Sequence, residues 1–191
     1  MIAGGTGVLR PYTLSARSIT AASQSLGEIV ESSAWEYEAE YEQWLPGLAM
    51  MRDALIEPLA DADLAYSLGG TSLTWGQLLD DCAEMQRSYI DSFSTLDQKW
   101  APPRPAIEHR KTIAEIRQHF HTLDREVELV LETFSGDDWD AVITRPDGTK
   151  RSRRGQLEIH AQFMLIFLGK ATVYARAQNR DLPPSLLAFV G

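Results

Sequence analysis

The residues able to carry chemistry are few and thinly spread. Histidines stand at His109, His119, His121 and His160, and the lone cysteine is Cys82. A helix chelates a metal through side chains at i and i+3 or i+4, because those positions share a face. From His160 they hold Phe163 and Met164, neither of them a ligand for a hard or borderline cation, and the preceding turn offers only Gln156. His119 and His121 are two residues apart, so they point to different faces and cannot pair with each other. A cation could still be assembled across helices, from Asp81, Glu84 and His160 for example, but no spacing demands one. His160 is read first as a hydrogen-bonded core or interface histidine, ahead of a metal ligand or a base.

Other chemistries are no better signposted. There is no nucleophile elbow and no cysteine with a flanking motif, and Cys82 reads as a small buried hydrophobe. The glycines of "GGTS" and "PDGTK" match no phosphate-binding loop. The basic run Lys150, Arg151, Arg153 and Arg154 could hold an anion, although a solvated loop end is the plainer reading. Asp81 or Glu84 could act as acid or base if either faced the interior beside Lys170 or Tyr174. Carboxylates on a helix surface are far more common.

The elements that must position these residues are helical. A helix is expected to begin near Trp44 and run through "GLAMMRDALIEPL", with Leu48, Met51, Leu55 and Leu59 on one face. After a connecting loop, Thr74 and Gln77 have capping-box spacing, followed by a stripe of Leu78, Cys82, Met85, Tyr89 and Phe93. The linker "APPRP" at 101–105 cannot be helix interior. Thr112 and Glu115 open a third helix, expected to reach Phe134 with Gly136 ending it. Its stripe is Ile113, Ile116, Phe120, Leu123, Val127, Val130 or Leu131, and Phe134. The turn residues of "RPDG" predict a small hairpin or an extended loop. A fourth helix follows from about Arg153 to Gln178, capped at Asn179 and stopped by Pro183 and Pro184. The tail "SLLAFVG" is apolar enough to pack back on the domain.

These elements imply an all-α fold: a four-helix bundle over 44–191, preceded by a partly ordered N-terminal extension over 1–43. The fourth helix is apolar on nearly every side, so it needs cover on more than one face, which implies a homodimer. Eighteen basic against 27 acidic residues give a net charge of -9. That balance excludes a general nucleic-acid binder and disfavours anionic membrane surfaces. The longest apolar run, Phe163 to Leu168, falls well short of the roughly 20 residues needed to span a bilayer. The N-terminus lacks the features of a secretory signal, and a cytoplasmic protein is expected.

Two stretches carry a family signal. "TSLTWGQLLDDCAEMQRSYIDSF" and, much later, "QLEIHAQFMLIFLGKATVYARAQNRDLPP" together resemble the DinB/YfiT-like superfamily of metal-associated four-helix bundles, typically dimeric. The resemblance covers roughly Trp44 to Gly191. It implies a metal held by one histidine on the second helix and two, four apart, on the fourth. Laid onto this chain, those positions fall on Asp81, Phe163 and Phe167, so all three ligands are replaced. Two phenyl rings remove the donor atoms and fill the space of a cation. A buried Asp81 would then need Lys170, His160 or Tyr174 as partner. The expectation is a DinB-like bundle without bound metal or other cofactor. Its cleft, formed by Asp81, Glu84, His160, Phe163, Phe167, Lys170 and Tyr174, would bind a small molecule or serve only structure. Members with intact ligands include thiol-dependent transferases and isomerases. The alternative is therefore an enzyme of transferase, isomerase or hydrolase type using Asp81 or Glu84 as base.

Overall fold

Reciprocal capping explains where two of the long helices start. Thr74 accepts from the backbone N–H of Gln77, whose side chain accepts in turn from the N–H of Thr74. Thr112 and Glu115 repeat the arrangement, and each pair satisfies two donors that a helix start leaves open. The computed structural model describes residues 44–100 and 112–190, so the expectations for the N-terminal extension and for the 101–105 linker lie outside the described residues. The helices are α1 over 44–56, α2 (Trp75–Thr95), α3 (Ile113–Leu131), α4 (Arg153–Ala177) and the short α5 (Pro184–Val190).

The third helix is shorter than its stripe suggests. It stops at Leu131, where the chain tightens: the N–H of Thr133 bonds to Val130 and that of Phe134 to Leu131, both i to i+3. Thr133 also donates its hydroxyl to the Val130 carbonyl, at 2.6 Å. These bonds take up carbonyls that the helix end would otherwise leave open. Gly136, at φ +45°, then opens a 3-10 turn over Gly136–Asp140 rather than capping the helix. The loop after α1 also holds a 3-10 turn, Asp61–Ala65.

The hairpin forms. Strand β1 (Val142–Thr144) pairs antiparallel with β2 (Lys150–Ser152), with Ile143 opposite Arg151. Gly148 takes φ +80° in the turn, and Asp147 accepts from both the N–H and the hydroxyl of Thr149. The N–H of Gln98 donates to the Thr144 carbonyl, and that of Thr144 donates back to Leu96, tying the hairpin to the end of α2. Ser152, the last residue of β2, caps α4 by accepting from Gly155.

Helix α2 packs against both α3 and α4. Trp75, Phe93, Phe120, Leu123 and Met164 are fully buried along these contacts. Leu186 of α5 is buried too, so the tail does pack back. Helix α4 ends as expected, with Asn179 at φ +54°, a left-handed conformation that asparagine tolerates. No helix among the described residues is long and apolar enough to cross a membrane.

Candidate functional site

The apolar face of α1 carries one residue that does not belong there by composition. Leu48, Leu55 and Ile56 are buried as the spacing requires, and so is Arg52, at 0 % exposure. A guanidinium in that position needs its charge answered and its donors filled. Asp124 of α3 accepts from it through both oxygens, at 3.0 and 2.6 Å. Asp53 accepts through Oδ1 at 3.0 and 2.7 Å. Gln86 of α2 accepts at 3.3 Å and donates to Asp124 at 2.8 Å. The plane of Phe120 backs the guanidinium, 4.2 Å from its centroid. Burial alone would lower the Arg52 pKa, but the hydrogen bonds and charges of Asp124 and Asp53 more than offset it and raise it above the usual arginine value.

Beside this knot lies a cavity of about 470 Å³. Leu45, Pro46, Ala49, Met50, Val127, Leu131 and Met164 supply an apolar wall from α1, α3 and α4. Asp53, Gln86, Asp124 and His160 supply a polar side, with His121, Arg125 and Glu128 exposed toward solvent. His160 is 1 % exposed and stacks on Tyr89, ring centroids 4.8 Å apart and planes 13° from parallel. Among the described residues neither of its ring nitrogens has a hydrogen-bond partner. Burial is the main cause that lowers its pKa to about 4; Asp124 pulls the other way and Arg52 adds to the lowering. The ring is therefore neutral at pH 7, with one donor and one acceptor.

The seven residues singled out in the sequence do not form one cleft. His160 alone among them lines the cavity. Phe163 is half-buried with its ring 5.9 Å from that of Tyr89, and Phe167 is buried in the core. Asp81 is exposed, at the margin of the inward face that begins with the buried pair Cys82 and Ala83. Lys170 is exposed beside buried Ala171, and Glu84 is half-buried. Tyr174 packs against Trp75 and donates to the Leu73 carbonyl at 2.6 Å, so its hydroxyl serves the start of α2. Cys82 is buried, and burial pushes its thiol up, which suits a packing role.

Arg52, Asp53, Gln86 and Asp124 escaped the sequence reading, and His121 entered it only as a failed pair with His119. One signal was present: position 52 falls within the 48, 55, 59 stripe, where an arginine must find carboxylates. Another was the i, i+3 spacing of His121 and Asp124, which shares a face of α3 although His119 and His121 do not.

The helix order and the short hairpin define an all-α four-helix bundle. The family model of the DinB superfamily matches residues 48–164, more than half of the chain, and the chain belongs to that superfamily. Among solved structures, YfiT from Bacillus subtilis, described as a probable metal-dependent hydrolase with an unusual four-helix bundle topology, is similar with a TM-score of 0.66 and 13% identity. The alignment covers 76% of this chain and 90% of that one. YjoA, a DinB-like protein from Bacillus subtilis, is similar at TM-score 0.56 and 16% identity, over 74% of this chain and 96% of that one. At these identities the likeness is one of fold. No curated protein matches.

The histidine-held metal that the family resemblance implies does not fit the residues present. Phe163 and Phe167 carry no donor atom, and Asp81 lies on the exposed face of α2.

Proposed function

We propose that this DinB-superfamily protein binds a small, partly apolar organic molecule in the cavity between α1, α3 and α4. It would do so as a homodimer and without a metal at positions 81, 163 and 167. His160 carries the reading: a neutral imidazole with neither nitrogen partnered among the described residues lines a cavity that has an apolar wall of seven side chains and a polar side of Asp53, Gln86 and Asp124. An unmade buried hydrogen bond costs about 1–3 kcal/mol, which a ligand bearing a donor or acceptor would recover. Apolar walls with a few convergent polar groups are the usual build of a small-molecule site, and about 470 Å³ falls within the usual size range. The other reading, an enzyme with Asp81 or Glu84 as base, has no such support, because neither residue lines the cavity.

The test is a fragment screen by protein-observed NMR on the full chain. Hits are expected to shift the resonances of His160, Gln86 and Met164 together, and Met164→Trp, which fills the cavity, should abolish those shifts. A library that yields no binder, or binders whose shifts map elsewhere and persist in Met164→Trp, overturns the proposal.

A further inference from the structure

The polar side of the cavity holds a second arrangement that the organic ligand does not need. Asp53 on α1, with His121 and Asp124 one turn apart on α3, each offer one ligand atom, and the three atoms lie within 4.8 Å of one another. We infer that these three side chains form a divalent transition-metal site, displaced from the second- and fourth-helix positions to the α1–α3 side of the bundle.

Arg52 is the obvious objection, since it already binds both carboxylates. Its geometry leaves room. It engages Asp53 only through Oδ1, while Oδ2 faces Nδ1 of His121 at 3.9 Å. On Asp124 it fixes the carboxylate plane, and Gln86 holds Oδ1 from the side. Each carboxylate oxygen has two acceptor positions: Oδ1 of either aspartate is filled by two donors, but Oδ2 of Asp124 keeps one position and Oδ2 of Asp53 is left by the clamp for an ion. Charge also allows a dication. Two carboxylates against one guanidinium leave a net negative charge, while Glu128 and Arg125, paired at 3.1 Å on the same cavity, cancel each other. A tetrahedral ion with bonds of about 2.0–2.1 Å wants its donors roughly 3.4 Å apart. His121 is 56 % exposed at its side chain and can swing in by the ångström or so that this requires.

Acidic residues clustered at a surface do not by themselves make a site. The second observation is His160, buried, unpartnered at both nitrogens among the described residues and lining the same cavity as the three ligands. A buried donor–acceptor ring on the same cavity as such a cluster is suited to a water or ligand group bound on the ion. Two carboxylates and an imidazole favour zinc, cobalt, nickel or manganese over calcium or magnesium, which take oxygen ligands.

The experiment uses untagged full-length protein stripped with chelator, then titrated with Zn²⁺ by calorimetry and with Co²⁺ by visible absorption. One equivalent of each is expected to bind, with Mg²⁺ unable to compete. His121→Ala, an exposed position, should weaken binding at least tenfold, and so should Asp53→Asn, which keeps an oxygen for Arg52. His119→Ala should bind like the parent. Far-ultraviolet circular dichroism checks that the variants stay folded. No saturable binding, or binding unmoved by His121→Ala, overturns the inference. Binding lost instead in Asp81→Asn overturns it as well and returns the metal to α2. Fragment binding that survives while metal binding fails removes this inference alone.

Discussion

Buried to 1 % exposure and stacked on Tyr89, the His160 imidazole is shut off from the water that would solvate its charged form. Its pKa falls from 6.5 to about 4, chiefly through burial. In the unfolded chain the ring regains its ordinary value, so between those two pH values the unfolded state binds the proton and the folded state does not. Folding stability therefore falls as the pH drops from about 6.5 toward about 4, and above that window both states are neutral and the contribution vanishes. At 1.36 kcal/mol per pH unit, the loss approaches about 3 kcal/mol at the bottom of the window. His160→Phe keeps a ring against Tyr89 but has no proton to take up. Urea unfolding at about pH 7 and about pH 4.5 should show the parent losing more stability than the variant, because the carboxylate contributions are common to both. Equal losses would place the titration elsewhere. Arg52 shows the complementary case, a charge kept inside by supplying its partners. Removing one partner of such a buried pair costs about 3–5 kcal/mol, which ties the cavity's polar side to the stability of α1 on α3.

At the scale of elements, the helix starts are the part of the fold most legible in the sequence, because capping is local chemistry. Thr74 and Gln77 satisfy each other's backbone N–H groups in the structure as their spacing requires. Thr74→Ala should cost about 1 kcal/mol, read as a lower urea midpoint with an unchanged slope. A midpoint equal to the parent's would mean that Trp75, fully buried and hydrogen-bonded to Gln178, fixes the start of α2 by itself. The hairpin and the end of α4 were legible for the same reason, through "RPDG" and Asn179. Helix rotation was not. A stripe of Leu78, Cys82, Met85, Tyr89 and Phe93 leaves Asp81 at its margin, and which margin turns inward is decided by packing against α3 and α4. The site escaped because its members come from separate helices. Asp53 and Asp124 are 71 residues apart in the chain, and only tertiary packing makes them neighbours. Their meeting place was still marked by Arg52, a charge on an apolar stripe.

At the scale of the whole molecule, α4 keeps an apolar side on the surface. Its inner face is buried against α2, but Ile166 and Val173 are 59 % and 54 % exposed. They lie seven residues apart, two turns along one side of the helix, with exposed Gly169 between them. A glycine there lets a second backbone approach closely, and a Cβ at that position would meet nothing within 4 Å among the described residues. A second copy presenting the same face would bury all three residues through a self-complementary twofold contact. The net charge of -9 opposes association of two such chains, and salt screens that repulsion beyond a Debye length of about 8 Å at physiological ionic strength. The dimer should therefore tighten as salt is raised, the reverse of a contact held by surface ion pairs. Light scattering on size-exclusion fractions is expected to give twice the chain mass for the parent. Ile166→Glu combined with Val173→Glu should give a folded monomer, since the pair places charges in an apolar contact. A parent that is monomeric at tens of micromolar in both low and high salt, or a double variant that remains dimeric, would rule out this face.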